Sequence, residues 1–203
     1  MFSLTPVTLE NDTVRLEPLD PEQHRDALAA AIRDGELWTI RETLVPHPDH
    51  VDAFFARAAD GQARGVSLAF ATRDKSSGHI LGSTRFMNAA PDFGRVEIGY
   101  TFLARSAWRT PANTNAKYLM LRHAFEAWNV NRVELLTDVL NLRSRAAIER
   151  IGARQEGVLR CHMQMPDGRL RDSVVFSIVR AEWPEVRARL ETRLAGARPP
   201  PHV

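Results

Sequence analysis

Lysine and cysteine are nearly missing from this 203-residue chain, and long apolar runs are missing altogether. Cys161 is the one cysteine, so no disulfide can form within the chain. The start, MFSLTPVTLENDTVRLEPL, has neither a basic opening nor a long apolar stretch. Together these favour the cytoplasm over a secreted location. Nothing approaches the ~18–20 consecutive apolar residues of a membrane span, so no membrane partner is expected. Lys75 and Lys117 are the only lysines, and arginine carries almost all the positive charge. The arginines are scattered among carboxylates and the formal net charge is +2. That pattern argues against a nucleic-acid partner, which a clustered basic block would favour. Repeats, low-complexity tracts and Gly/Ser linkers are also lacking.

What is present suits a folded, soluble chain. Hydrophobic residues make up 44%, enough for a core, and charged residues an ordinary 26%. Alternation over 14–19 (VRLEPL) predicts a strand. PEQHRDALAAAIR, 21–33, predicts a helix opened by Pro21. An irregular stretch over 34–50 and a second helix over 51–59 follow. Three strands are expected at 66–73, 79–88 and 95–103, separated by the turn-rich DKSSG and APDFG. A helix over 114–128 carries Ala116, Leu119, Met120, Ala124 and Trp128 on one stripe. Strand 132–139 leads into a helix from Asn141 to Ile151, closed by Gly152. Strands at 153–165 and 169–179 flank the hairpin signal Pro166-Asp167-Gly168. A helix opened by Pro184 ends the fold. The order is an antiparallel meander, a βαβ unit and a closing hairpin. It predicts an α/β (α+β) layered fold with helices covering a mixed, mostly antiparallel sheet of about seven strands. Residues 1–195 are read as one domain and 196–203 as a flexible tail.

Two places invite chemistry. At the junction of strand 132–139 and its following helix, Asn141 is a good N-cap and Ser144 stands at the third helical position. By spacing alone both are caps, although such junctions also open onto ligand clefts. In RVEIGYTFL, alternation sets Val96, Ile98, Tyr100 and Phe102 on one face. Arg95, Glu97, Gly99 and Thr101 then share the other. A mid-strand carboxylate is a candidate base whose pKa burial would raise; a partly exposed Glu paired with an arginine is the alternative. His47, Asp49 and His50 in PHPDH are dense in ligand types, but a loop offers no rigid frame for a metal. Cys161, in a strand with no base nearby in sequence, is read as inert.

The segment TDVLNLRSRAAIERIGARQEGVLRCHMQMPDGRLRDSVVFSIVRAEWP resembles the C-terminal half of the Gcn5-related N-acetyltransferases. More narrowly, it is similar to the subgroup holding the RimJ/RimL-type ribosomal-protein acetyltransferases. Asn141, Ser144-Arg145-Ala146, Gly152, Glu156-Gly157, Asp167-Gly168, Arg171-Asp172 and Glu182-Trp183-Pro184 carry the likeness. With EIGYTFL and TVRLEPL it extends over nearly the whole chain, while residues 20–65, the substrate-covering part, match only in outline.

The resemblance implies splayed strands at 95–103 and 132–139, with acetyl-CoA as co-substrate in the gap and 95–152 as its binding core. The backbone of Thr101, Phe102 and Leu103 would pair with pantetheine. The helix start around Arg109, Thr110, Ala112, Asn113, Thr114 and Asn115 would meet the pyrophosphate. Glu97 would be the base, directly or through water. Ser144 would protonate the thiolate, with Tyr100 in reserve, and Asn141 would hold the pantetheine or a water. Trp38 and His162 would border the acceptor. No metal is needed. The acceptor would be a protein N-terminus or a small amine, and a homodimer is left open. The loop departs from the family pattern Gln/Arg-x-x-Gly-x-Gly/Ala, since Pro111 and Asn113 stand at the glycine positions. Asn115 replaces a common Glu. A non-catalytic CoA- or peptide-binding member of the fold is therefore the alternative reading.

Overall fold

The computed structural model describes residues 2–196. Leu9–Glu10 (β1) and Val14–Pro18 (β2) lead to α1 (Pro21–Arg33) and α2 (Val51–Ala63). Leu68–Asp74 (β3), Ile80–Ala90 (β4) and Arg95–Leu103 (β5) form the meander. Then come α3 (Ala112–Arg122), β6 (Arg132–Asp138) and α4 (Leu142–Arg150). Arg154–Gln164 (β7), Leu170–Val179 (β8) and α5 (Trp183–Gly196) close the chain. The eight strands make one sheet in the order β1-β2-β3-β4-β5-β6-β8-β7. The one strand not expected is β1, whose two residues are too few to show a period. Gly196 belongs to α5, and the rest of the expected tail lies outside the described residues.

Local signals account for most boundaries. The Asp20 side chain accepts from Glu22 N–H and Pro21 takes the first helical position, so α1 starts there. Its stripe buries Leu28 and Ile32 completely, each contributing about 1.5–3 kcal/mol. Gly168, at φ 83°, turns the β7–β8 hairpin while Asp167 accepts from Arg169 N–H at 3.1 Å. Helix α3 runs on into a π-helical turn, His123–Ala127, so the expected 114–128 helix is continuous in path but not in hydrogen bonding.

Both faces of the sheet are covered. On one, Phe86, Val96, Ile98, Val133, Val174 and Phe176 pack with α3 and α5, and Trp183 stacks on Phe125 with ring centroids 5.2 Å apart. On the other, Leu28, Ile32, Phe54 and Phe55 of α1 and α2 pack against Ala71, Ile80 and Phe102. Leu37 plugs this second core, fixing the irregular stretch after α1 beside the sheet.

The sheet opens in the middle. β5 and β6 are parallel and pair only at Arg95↔Arg132, Val96↔Val133 and Glu97↔Glu134. Beyond that β5 stays with β4 as far as Gly82↔Leu103, and β6 stays with β8 as far as Asp138↔Ser173. The facing edges of β5 and β6 are thus left without a strand partner, and α3 and α4 both start beyond the open end.

Candidate active site

The alternation expected for β5 fails at Tyr100. This residue adopts φ 45°, and the β4–β5 register slips between Ser83↔Phe102 and Arg85↔Gly99. One extra residue in β5 reverses the parity beyond it. Tyr100 and Phe102 therefore leave the face of Val96 and Ile98 and join that of Glu97. Phe102 meets the Phe54 ring at 5.7 Å. Thr101 turns the opposite way, toward α3, where Lys117 Nζ donates to its hydroxyl at 2.6 Å and to Thr84 at 3.1 Å. Burial brings the Lys117 amine down to about 7.

Glu97 is 7% exposed, at the last β5–β6 pair before the sheet opens. A second irregularity, in β4 between Met87 and Ala90, holds Asn88 at φ 48°. Asn88 Nδ2 then donates to Glu97 Oε2 at 2.7 Å. Desolvation is the main cause raising the Glu97 pKa, and Glu134 adds to it; Asn88, Arg171 and Arg95 oppose. A carboxylate so placed is a proton acceptor with more basicity than an exposed one.

The backbone of the splayed edge is only partly available. A Cβ on Gly82 would lie 2.1 Å from the Phe102 carbonyl oxygen, so that carbonyl faces β4 and not the gap. Alternation turns Thr101 and Leu103 to the gap instead. Leu103 C=O is already taken, accepting from Trp108 Nε1 at 2.8 Å. Of the three residues expected to pair with pantetheine, Thr101 keeps both backbone groups toward the gap, Leu103 keeps its N–H, and Phe102 is committed elsewhere. The Trp108 ring lies between two guanidiniums, Arg105 at 4.2 Å and Arg143 at 3.5 Å.

At the mouth, α3 starts with fewer open donors than its sequence offers. Ala112 N–H donates to Thr110 Oγ1 at 3.3 Å, and Asn115 N–H to Pro111 C=O at 2.9 Å. Asn113 and Thr114 keep their N–H groups without a partner among the described residues. Exposed Arg109, at φ 63°, pairs with no carboxylate among those residues and stands beside them. Asn115 is a different matter. Its side chain is buried, donating to Pro111 C=O at 3.0 Å and accepting from Asn11 at 2.7 Å, which makes it a brace between α3 and the N-terminal segment. Asn141 caps α4 by accepting from Ser144 N–H at 2.9 Å. The Ser144 hydroxyl is half-buried and makes no hydrogen bond among the described residues.

On the Glu97 side of the sheet lies a cavity of about 560 Å³. Trp38, Ile40, His47, Arg57 and Tyr100 are among its walls. Arg41 pairs with Asp167 at 2.7 Å and accepts from Arg169 through its carbonyl, tying the stretch after α1 to the β7–β8 turn across the cavity. His162 is outside this wall, exposed on β7 with its Nδ1 3.0 Å from Ser173 Oγ. Cys161 is exposed at φ 49° in the bulge before it. Among the described residues no group of three or more His, Cys, Asp or Glu could hold a metal, and no helix is long and apolar enough to cross a membrane.

Sequence reasoning missed Arg57, Arg85, Trp108 and Arg171. Arg85 carried a signal, a charge in mid-strand between Thr84 and Phe86; the bulge that aligns Tyr100 with Glu97 carried none.

A sheet split after three pairs of a parallel junction, with two helix starts at its mouth and a buried carboxylate at its apex, defines an α/β transferase of the N-acetyltransferase class. The comparisons agree. The family model described as "Acetyltransferase (GNAT) domain" matches residues 13–154, and the chain belongs to that family of N-acetyltransferases. Putative ribosomal N-acetyltransferase YdaF of Bacillus subtilis (strain 168) is 32% identical over 186 residues, covering 86% of this chain and 94% of that protein. Uncharacterized N-acetyltransferase p20 of Bacillus licheniformis is 28% identical over 124 residues, 61% of this chain and 66% of that protein. A solved acetyltransferase from T. thermophilus superposes with a TM-score of 0.82 at 36% identity, covering 96% of this chain and 100% of that one. Mycobacterium smegmatis RimJ in complex with CoA-disulfide has a TM-score of 0.80 at 23% identity, covering 97% and 98%.

Proposed function

We propose that residues 1–195 form one acetyltransferase unit that moves an acetyl group from acetyl-CoA to a primary amine by direct attack. The observation that carries this reading is the opening of β5 from β6 immediately beyond the buried Glu97. The residues present suit acetyl-CoA: a gap edge with free backbone groups at Thr101 and Leu103, and two unpaired N–H groups at Asn113 and Thr114 beside Arg109. Helix dipole and cation together favour an anion there. The CoA thioester supplies an activated acetyl group, and RimJ, a neighbour in fold, was solved in complex with CoA-disulfide.

Glu97 takes a proton from the acceptor ammonium, directly or through a water, and frees the nitrogen lone pair. The C–N bond forms as the C–S bond breaks. Backbone N–H groups of the splayed edge donate to the carbonyl oxygen as charge builds on it. The Ser144 hydroxyl gives a proton to the departing sulfur, with Tyr100 as the second candidate. Asn141 supports this by holding the first turn of α4. Trp38 walls the acceptor cavity, and His162, outside that wall, meets only an acceptor long enough to reach β7. No metal has a role. A cytoplasmic protein N-terminus or small amine fits the cavity; YdaF, by name, is a ribosomal N-acetyltransferase. The reading holds for monomer or homodimer.

A screen of amines and N-terminal peptides with acetyl-CoA, read by free-thiol release and acetylated product mass, tests it. Product with at least one acceptor is expected. Acetyl-CoA binding with no product from any acceptor would favour the non-catalytic reading, which the reduced donor set at α3 motivates.

A further inference from the structure

On the Glu97 face, next to the acceptor cavity, stands an arginine with nothing to bond. Arg85 is 6% exposed, in mid-β4. Its guanidinium carbon lies 4.9 Å from the Phe54 ring centroid and 4.8 Å from that of Tyr100. Its Nε and Nη2 are buried without a hydrogen-bond partner, and no carboxylate pairs with it among the described residues. The neighbouring charges do not relieve it. Exposed Arg57, from α2 on the cavity wall, is a second cation that repels it. Beyond Tyr100 stands Arg171 of β8, half-buried, with its own Nε buried and unpaired. Asp138 and Glu97 act on Arg171 at longer range, but Asp138 hydrogen-bonds Arg169 at 2.5 Å. The cavity's own carboxylate, Asp167, is paired with Arg41.

A buried cation with unmet donors is costly. Dispersion and cation–π contacts with two rings offset part of that cost, but they leave the N–H groups unmet. An anionic group of a ligand would meet them. Register then sets how far that group lies from the chemistry. Arg85 pairs with Gly99 and Met87 with Glu97, so Arg85 and Glu97 are diagonal neighbours on one face. Such neighbours are about 7–8 Å apart. An amine at Glu97 and an anion at Arg85 are therefore separated by a few bonds.

We propose that Arg85, with Arg57 at the cavity mouth, selects acceptors whose primary amine lies a few bonds from a carboxylate or phosphate. Arg85 is a specificity residue: its fork binds the anion while Tyr100 and Phe54 hold its plane. The inference rests on the acetyltransferase reading above. The same chemistry is offered by a small zwitterion or by a protein N-terminus followed at once by an acidic residue.

Rates and binding are to be measured with matched probes on the wild type, Arg85→Met and Arg85→Lys. The small set is phosphoethanolamine, β-alanine, propylamine and 1,3-diaminopropane. The peptide set differs in its second residue, Ser-Asp against Ser-Lys. Anionic probes should exceed neutral and cationic ones in kcat/KM by about ten- to a hundredfold, the worth of one charged hydrogen-bonded contact. Arg85→Met should abolish that preference and Arg85→Lys restore part of it. Arg85→Met should not lower the melting temperature, because it removes an unpaired buried charge and keeps the stacking volume. Equal rates across charges, a preference for cations, or a preference unchanged in Arg85→Met would overturn the proposal. So would a variant that melts lower yet keeps the preference. Which set shows the preference tells a small molecule from a protein end. Calorimetry with phosphoethanolamine and Ser-Asp peptide keeps this separate from turnover. Anion-selective binding lost in Arg85→Met, with no product from any probe, would sink the transferase reading and leave the anion site standing. Product formation without anion selectivity would do the reverse.

Discussion

Replacing Glu97 by Gln changes one property of the site and almost nothing of its shape. Asn88 Nδ2 donates to Glu97 Oε2 at 2.7 Å, and an amide oxygen accepts that bond as well. What disappears is the capacity to take a proton. General-base catalysis is worth about 10²–10⁴ in rate, or about 2.7–5.4 kcal/mol of transition-state stabilisation. The loss in kcat/KM should fall in that range. The pH profile carries more information than the rate. Burial, with Glu134, holds the Glu97 pKa above the usual 4.5 against the opposing Asn88, Arg171 and Arg95. The basic form therefore accumulates only as pH rises through that raised value. The wild-type rate should fall on the acid side at higher pH than an ordinary glutamate would give, and the variant should lose this limb. Stability moves the other way. A carboxylate with a raised folded pKa destabilises the fold as pH climbs past its unfolded pKa, so at neutral pH the variant should melt no lower than the wild type. The assay is free-thiol release with the best acceptor from the screen, over the pH range where both proteins are folded. Full activity with an unchanged acid limb would refute the assignment of Glu97 as base.

Ser144→Ala should lower kcat more than acetyl-CoA affinity, because the cap uses the Ser144 backbone N–H and survives the change; equal losses in both would make Ser144 structural. Gly82→Ala places a Cβ 2.1 Å from the Phe102 carbonyl oxygen at φ 153°. It should cost about 1–3 kcal/mol in thermal unfolding and weaken acetyl-CoA binding by shifting β5; an unaltered melting point and affinity would contradict that. Lys117→Met removes an amine that burial brings from 10.5 to about 7. The unfolded chain holds that proton to higher pH than the fold does, so wild-type stability should rise from pH 7 toward 10. The variant should be flatter across that window and melt higher at pH 7; a lower melting point at every pH would refute the reasoning.

Elements whose signals are local were legible in the sequence. Asp20-Pro21 opens α1, Asn141 caps α4, and Pro166-Asp167-Gly168 turns the last hairpin. Strand period placed Glu97 on the right face, since the alternation holds as far as Gly99. It failed beyond, because a left-handed Tyr100 is set by the pairing with β4 and not by residue type. That slip explains why Tyr100 lines the cavity and Thr101 serves Lys117 instead. At α3 the residues promised four open N–H groups, but Thr110 and Pro111 accept from two of them, contacts that depend on the loop's path. Asn115 is buried by Asn11, 104 positions away, which no local pattern could announce. Arg85 was visible as a charge in a strand, yet its lack of a partner is a fact of packing.

The central claim is that the gap between β5 and β6 takes acetyl-CoA despite a loop without glycine. Calorimetric titration of the wild-type protein with acetyl-CoA tests it most directly. Saturable one-to-one binding, weakened by Gly82→Ala and by Arg109→Ala, is the predicted result. No detectable binding at millimolar acetyl-CoA would contradict the account.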